Sequence, residues 1–520
     1  MPRHNNYCGE LLKLRKTLFI KNALILTVSS LVLRFAGIIF KVWLAARIGS
    51  EGIGLYQLIF SVYMLASTFA SSGICTAVTR LAAEELALGT KKGTLKILRR
   101  CIQLTLIMAA ASAAVLFFGA DIIALKFLGD ARAVIPIKIL PLSLPFMGMT
   151  SCLRGYFIAR RRITPNVLSQ ILEQAVRILL VVTLVSRFSS KGLAASCAAV
   201  VFGDVAAEIF SFLMLFFIWL PDRRKLTGLS GRARPPFGIV RRILHISVPI
   251  TSGRYLNTAL RTAENILVPR NLAKYPLSGE NSLSQFGMIK GMALPVLFFP
   301  SALLGSISTL LIPEMSEASA RGRTALVSAA TRNILKLTAV MSFIFAAIFF
   351  TSGREIGLLI YKSEEVGGLL RALAPIVPLM YLDSVSDGIL KGLDQQAFSF
   401  RTAVSDSGIR IILIIALLPF FGLRGFIWIM YFSNFLTCAL NVGRLIKVSR
   451  ARIYILNEII LPLVSAFCVS FLSDTLLRLF SLPGLFYVII HCALSAGLYT
   501  LLIFLFGTVK PDDIRNLIKK

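Results

Sequence analysis

The sequence predicts an all-α integral membrane protein with about 14 transmembrane helices, arranged as two pseudo-symmetric six-helix bundles and two C-terminal helices. Three observations support this fold class. The 520 residues are 56% hydrophobic and only 16% charged, and their mean hydropathy is +0.78. Apolar stretches recur along the whole chain, and a motif in the first half returns in the second. Soluble domains carry about 25% charged residues, so this composition indicates a bilayer protein.

The apolar stretches have the length that a transmembrane helix needs. With a rise of about 1.5 Å per residue, about 20 residues cross a hydrocarbon core of about 30 Å. In chain order, the predicted spans are 22–46, 55–79, 101–124, 133–158, 166–186, 192–220, 243–268, 285–312, 335–353, 366–389, 402–421, 425–443, 454–475 and 483–508.

A repeated motif divides the chain into two similar halves. Pro141-Leu142 and Leu153-Arg154-Gly155 recur at the same spacing as Pro378-Leu379 and Leu390-Lys391-Gly392. Each copy precedes an acid and an arginine at i,i+4, which are Glu173/Arg177 and Asp406/Arg410. Internal repeats of this kind are typical of transporters. The predicted organisation is an N-terminal bundle over 1–220, a basic cytoplasmic linker over 221–242, a C-terminal bundle over 243–447, and helices 13 and 14 with a cytoplasmic tail over 448–520.

The formal net charge of +31 follows the predicted membrane topology. Basic residues concentrate in alternate loops, for example at Arg160-Arg161-Arg162, between Arg223 and Arg242, and from Lys510 to Lys520. Because cytoplasmic loops are enriched in Lys and Arg, this alternation predicts that both termini are cytoplasmic. It indicates contact with membrane lipids rather than with nucleic acid.

Residues for covalent chemistry are sparse in this sequence. The eight cysteines and three histidines are scattered, without a CxxC pair or a metal-ligand spacing, and there is no phosphate-binding glycine loop. We therefore expect neither an enzyme nor a metal site or cofactor.

Ionisable residues inside the predicted spans are the candidate functional residues, because each costs about 2.5–3.5 kcal/mol at a helix centre. The two i,i+4 pairs favour structural ion pairs, with a substrate role as the alternative. Ion coupling is a second candidate role for the acids. The residues assigned to ion pairing or coupling are Glu173, Arg177, Asp406, Arg410, Glu264, Asp204 and Asp387.

A second set of basic residues lies on predicted helices 1, 7 and 8. It consists of Arg34, Lys41, Arg254, Arg261 and Lys290. Glu264 is the acid closest to them in sequence, so the set has surplus positive charge within the membrane. We interpret it as a cationic cavity for an anionic substrate, with pairing to acids on other helices as the alternative.

Two segments carry a family resemblance. They are Gly49-Ser50-Glu51-Gly52-Ile53-Gly54-Leu55-Tyr56 and Leu153-Arg154-Gly155-Tyr156-Phe157, the latter followed by Leu172-Glu173-Gln174 and Val176-Arg177. They resemble the stage V sporulation protein B-like polysaccharide transporters of the multidrug/oligosaccharidyl-lipid/polysaccharide exporter superfamily, which includes the lipid II flippases. The resemblance implies two six-helix bundles around a cavity that opens alternately to each side of the membrane.

The resemblance also implies a substrate. It predicts a flippase for an undecaprenyl-pyrophosphate-linked glycan such as lipid II, with a coupling cation and cell-wall synthesis proteins as candidate partners. Arg34 and Lys290 match basic positions on helices 1 and 8 of lipid II flippases, whereas helix 2 has no basic residue between Leu55 and Val78. The alternatives are a Na⁺- or H⁺-coupled organic-cation antiporter of the same superfamily and a non-transporting scaffold in cell-wall synthesis.

Overall fold

The computed structural model confirms an all-α membrane protein fold. It describes residues 3–71, 73–88, 91–227, 238–276, 282–301, 304–305, 315–480 and 483–508. In these ranges the regular structure is helical, without strands, and ten helical segments are long and apolar enough to cross a membrane. The middle of the predicted linker, 228–237, and the predicted basic tail lie outside the described residues.

Unit 1 comprises Met1–Ile266 and is one of two compact units in the chain. Its helices, with the labels used below, are α1 (Arg3–Ser71), α2 (Ile74–Ala87), α3 (Lys91–Phe118), α4 (Val134–Ile139, a 3₁₀ turn over Leu140–Ser143, and Leu144–Ala159), α5 (Thr164–Phe188), α6 (Leu193–Thr227) and most of α7 (Ile239–Leu272).

Unit 2 comprises Leu267–Lys520. Its described helices are α8 (Ser282–Phe286, a π-helical turn over Gly287–Ala293, and Leu294–Phe298), α9 (Thr324–Tyr361), α10 (Glu364–Leu373, a 3₁₀ turn over Ala374–Ile376, and Val377–Gly392), α11 (Gln396–Ser449), α12 (a π-helical turn over Leu456–Ile460 and then Leu461–Arg478) and α13 (Gly484–Leu505).

The division between the units falls inside α7, whereas the predicted linker lies at 221–242. Hydrogen bonds between α7 and α1 explain the difference. The Thr262 hydroxyl donates to the Ser61 carbonyl at 3.0 Å, and the Asn265 amide donates to the Ser61 hydroxyl at 2.9 Å. Most of α7 is thus held to unit 1, although the repeat assigns this helix to the second half. The bundle boundaries at 220 and 243 remain predictions.

Two glycines interrupt long helices between pairs of predicted spans. Gly49 in α1 has φ 72° and ψ 176°, and it separates the predicted spans 22–46 and 55–79. Gly422 in α11 has φ 55° and ψ −137°, and it separates the predicted spans 402–421 and 425–443. Both glycines lie at positive φ, where a side chain is costly. The chain therefore continues from one predicted span to the next through a glycine kink rather than a separate loop.

The repeated prolines also lie in or next to irregular backbone. In α4 a 3₁₀ turn contains Pro141, and in α10 Pro378 directly follows a 3₁₀ turn that contains Pro375 and is the second residue of Val377–Gly392. Proline has no N–H to donate to the preceding turn, so the α-helical pattern weakens at both places. Immediately after these turns, Leu144–Ala159 and Val377–Gly392 carry the second part of the motif.

Candidate ion-pair network and basic residues

An ion-pair network connects α5 with α6 in unit 1. Nη2 of Arg177 lies 3.0 Å from Oε1 of Glu173, and its Nε lies 3.0 Å from Oδ1 of Asp204. The Tyr56 hydroxyl on α1 donates to the second oxygen of Asp204 at 3.0 Å. The predicted i,i+4 pair thus exists, and Asp204 joins it from a neighbouring helix.

Arg154 extends this network to α4, which the sequence reasoning missed. Its Nη2 lies 2.8 Å from Oε2 of Glu173 and donates to the Ser211 hydroxyl at 3.3 Å. Each carboxylate oxygen of Glu173 is therefore paired with a different guanidinium group, Oε2 with that of Arg154 and Oε1 with that of Arg177. The signal was present, because Arg154 is the basic residue of the repeated motif.

The other residues of the first motif pack the segment of α4 that carries Arg154 against α2. Leu153 and Tyr156 are buried in a core cluster with Val78 of α2. A Cβ added to Gly155 would lie 2.7 Å from the Cys75 carbonyl oxygen, so the glycine permits close contact between α4 and α2. The motif thus fixes the helix on which Arg154 lies.

The second pair has a smaller network in unit 2. Nη2 of Arg410 lies 2.5 Å from Oδ2 of Asp406, and it donates to the Ser433 hydroxyl at 2.6 Å. That hydroxyl in turn donates to Oδ1 of Asp406 at 2.5 Å. Asp406 and Arg410 precede the Gly422 kink of α11, and Ser433 follows it. The network therefore joins the two parts of that helix.

Two further acids of α10 also have polar partners. Oδ2 of Asp387 lies 2.5 Å from Nζ of Lys391, the basic residue of the second motif. Oδ1 of Asp383 accepts a hydrogen bond from the Asn441 amide at 2.8 Å. Glu264 on α7, the remaining acid predicted for pairing or coupling, is buried, with 2% of its surface exposed.

The predicted basic residues of unit 1 are more exposed to solvent than the acids of the ion-pair networks. Arg34, Arg254 and Arg261 are exposed, and Lys41 is half-buried. In the described part of the chain, no carboxylate lies within ion-pair distance of Arg34, Arg254 or Arg261. Arg254 and Arg261 are seven residues apart on α7, so both side chains emerge on one side of that helix.

Lys290 belongs to unit 2 and lies in the π-helical turn of α8. Its side chain is half-buried, and its ammonium group lies 5.8 Å from the ring centroid of Phe426. A cation over an aromatic face is stabilised by the ring quadrupole. The roles predicted for all these acids and bases remain predictions.

These features define a class of protein: a multi-pass α-helical membrane protein. The fold is similar to that of a lipid II flippase MurJ in an inward closed conformation, with a TM-score of 0.70 and 13% identity over 96% of this chain and 100% of that one. It is also similar to an inward-facing multidrug resistance MATE family transporter of the MOP superfamily, with a TM-score of 0.64 and 13% identity over 82% of this chain and 99% of that one.

Residues 19–319 match the polysaccharide biosynthesis protein family, and the chain belongs to this family. It is 26% identical to stage V sporulation protein B of Bacillus subtilis (strain 168), covering 96% of this chain and 98% of that protein. It is 20% identical to the lipid II flippase MurJ of the same organism, covering 77% of each chain. The predicted family resemblance is thereby confirmed.

Proposed function

We propose that the protein is a flippase for an undecaprenyl-pyrophosphate-linked glycan, such as lipid II or a related cell-wall or spore-cortex precursor. It would move this lipid from the cytoplasmic to the outer leaflet of a bacterial cytoplasmic membrane. Family membership and the similarity to a sporulation protein and a lipid II flippase support this proposal.

One observation carries the proposal on the side of chemistry. Arg34, Arg254 and Arg261 are exposed on helices of unit 1, and no carboxylate of the described residues neutralises them. Uncompensated guanidinium groups at membrane depth are costly, unless an anion binds to them. A pyrophosphate suits them because guanidinium groups form charge-assisted, bidentate hydrogen bonds with phosphate oxygens.

The proposed mechanism is alternating access without a covalent step. The anionic head group would bind the basic side chains while the polyprenyl tail stays in the lipid. Binding drives the change of state only if the substrate has a higher affinity for one conformation than for the other. The membrane potential or a cation would reset the carrier, since moving one charge through 100 mV is worth about 2.3 kcal/mol.

An organic-cation antiporter is the second candidate, and the fold similarity to a MATE family transporter favours it. Such a protein would need acids free to attract a cationic substrate. Asp387 is paired with Lys391, and Asp383 accepts a hydrogen bond from Asn441. Together with the exposed arginines of unit 1, these contacts favour an anionic substrate.

The charge distribution supports an orientation with both termini in the cytoplasm. The basic loops would then face the anionic lipids of the inner leaflet. Proteins of cell-wall synthesis, which supply and consume lipid-linked precursors, are the proposed partners.

The proposal can be tested with purified protein in lipid vesicles that contain fluorescent lipid II. We expect flipping by the wild type and a loss of about 10- to 100-fold in Arg34→Ala and Arg254→Ala, because a hydrogen bond to a charged group contributes about 1.5–3 kcal/mol. Arg187→Ala is the matched control, since Arg187 is an exposed arginine outside this set.

Each variant should elute as the wild type does in size-exclusion chromatography, so that misfolding is excluded. Unimpaired flipping by both variants would refute the role of the basic residues. Organic-cation efflux by a wild type that does not flip lipid II would favour the antiporter.

A further inference from the structure

Glu208 on α6 is a buried acid that the ion pairs described above do not include. Only 9% of its surface is exposed, and its Oε1 atom has no hydrogen-bond partner in the described structure. It lies one helical turn after Asp204, on the same face of α6. No basic nitrogen of the described residues lies within ion-pair distance of it.

Glu208 nevertheless lies among charged groups. The charged or titratable groups that interact with it electrostatically are Tyr63 of α1, Arg154 of α4, Glu173 and Arg177 of α5, and Asp204 of α6. Arg177 is already paired with Glu173 and Asp204, and Arg154 with Glu173. With all groups ionised, three carboxylates would face two guanidinium groups, leaving one uncompensated negative charge.

An uncompensated buried carboxylate is expensive, and such groups become neutral by binding a proton instead. A metal ion would need several well-placed ligands. In the part of the chain that the structure describes, no group of three or more His, Cys, Asp and Glu residues could hold one. Binding of a single proton would neutralise Glu208 and balance the charges of this cluster.

The repeat provides an independent comparison. Asn441 follows Asp406 in the second half at the same spacing at which Glu208 follows Glu173 in the first. An asparagine is always neutral, and this one donates a hydrogen bond to Asp383. At this spacing the second half thus carries a side chain that is neutral at every pH.

We propose that Glu208, within the network of Arg154, Glu173, Arg177 and Asp204, is a binding site for one proton. Loss of this proton would leave two carboxylates one turn apart on α6 and a net negative charge between α4, α5 and α6. Proton binding and release would therefore favour different packing of these helices. As a step in transport, which rests on the proposed function, the site would couple flipping to a proton gradient.

Infrared difference spectroscopy of the purified protein during a pH titration tests proton binding without any substrate. We expect a protonated-carboxyl band in the wild type at neutral pH that disappears at alkaline pH. Glu208→Gln should lose this band, whereas Asp383→Asn and the exposed-site control Glu84→Gln should keep it. If Glu208→Gln does not fold, Glu208→Asp should keep the band at a shifted frequency.

A Glu208→Gln spectrum identical to that of the wild type would overturn the proposal, and so would an unshifted band in Glu208→Asp. Failure of the protein to flip lipid II would leave the infrared result unchanged, so the two proposals are distinguishable. In a wild type that does flip lipid II, an imposed pH gradient should change the rate, and Glu208→Gln should lose that response. An undiminished response in Glu208→Gln would contradict the coupling.

Discussion

Arg177 stabilises unit 1 by pairing with acids on two helices. It contacts Glu173 on its own helix and Asp204 on α6, at 3.0 Å in each case. Removing one partner of a buried ion pair typically costs about 3–5 kcal/mol, because the other charge stays buried. We expect Arg177→Gln to lower the free energy of unfolding by about 3 kcal/mol, measured by denaturant titration in detergent.

Arg80→Gln provides the control, since Arg80 pairs with Glu84 and their side chains are 68% and 40% exposed. Exposed pairs contribute at most about 1 kcal/mol, so this change should be small. Equal small losses in the two variants would show that the Arg177 network does not stabilise the fold.

For individual residues, the sequence predicts side-chain contacts within one helix better than contacts between helices. Glu173 and Arg177 could be paired from their i,i+4 spacing. The contacts of Arg177 with Asp204 and of Arg154 with Glu173 depend on how α4, α5 and α6 are rotated about their axes, which the spacing does not determine. The same holds for Glu208, whose Oε1 atom has no hydrogen-bond partner among the described residues, because this becomes visible only in the folded chain.

The contact between α2 and α4 depends on the glycine of the motif. A Cβ at Gly155 would lie 2.7 Å from the Cys75 carbonyl oxygen and 3.1 Å from Cβ of Val78. The backbone cannot yield as a flexible side chain can, so the helices would have to separate. We expect Gly155→Ala to cost about 1–3 kcal/mol of stability, as overpacking usually does, measured as a lower Tm in detergent.

Gly408→Ala is the matched control, because Gly408 also lies in a helix and has no atom within 4 Å of an added Cβ. Alanine favours the helix over glycine by about 0.5–1 kcal/mol, so this variant should be as stable as the wild type or slightly more stable. A Tm for Gly155→Ala as high as that for Gly408→Ala would contradict the close helix contact.

The helices themselves were largely predictable, since apolar length alone locates membrane spans. The connections between the helices were harder to predict. The predicted spans 22–46 and 55–79 are joined directly at Gly49, whose non-helical backbone bends the chain without a separate loop. Hydropathy cannot distinguish such a kink from a loop, because both occupy only a few residues.

For the whole molecule, the repeated motif was the most informative feature of the sequence. It led to a transporter fold, and the fold of the chain is similar to those of a lipid II flippase MurJ and a multidrug resistance MATE family transporter. It could not predict that the compact units would divide inside α7, because contacts between helices, such as the hydrogen bonds of Thr262 and Asn265 to Ser61, cannot be derived from the repeat. The substrate is likewise a matter of site chemistry and not of fold.

The most direct test of an anionic lipid substrate compares two fluorescent lipids in vesicles that contain the wild-type protein. One carries the glycan through a pyrophosphate, and the other carries the same glycan on the same tail through an uncharged linkage. We predict that only the pyrophosphate-linked lipid is flipped, because the exposed guanidinium groups of unit 1 recognise its charge. Equal flipping of the two lipids would contradict recognition of the pyrophosphate by these guanidinium groups.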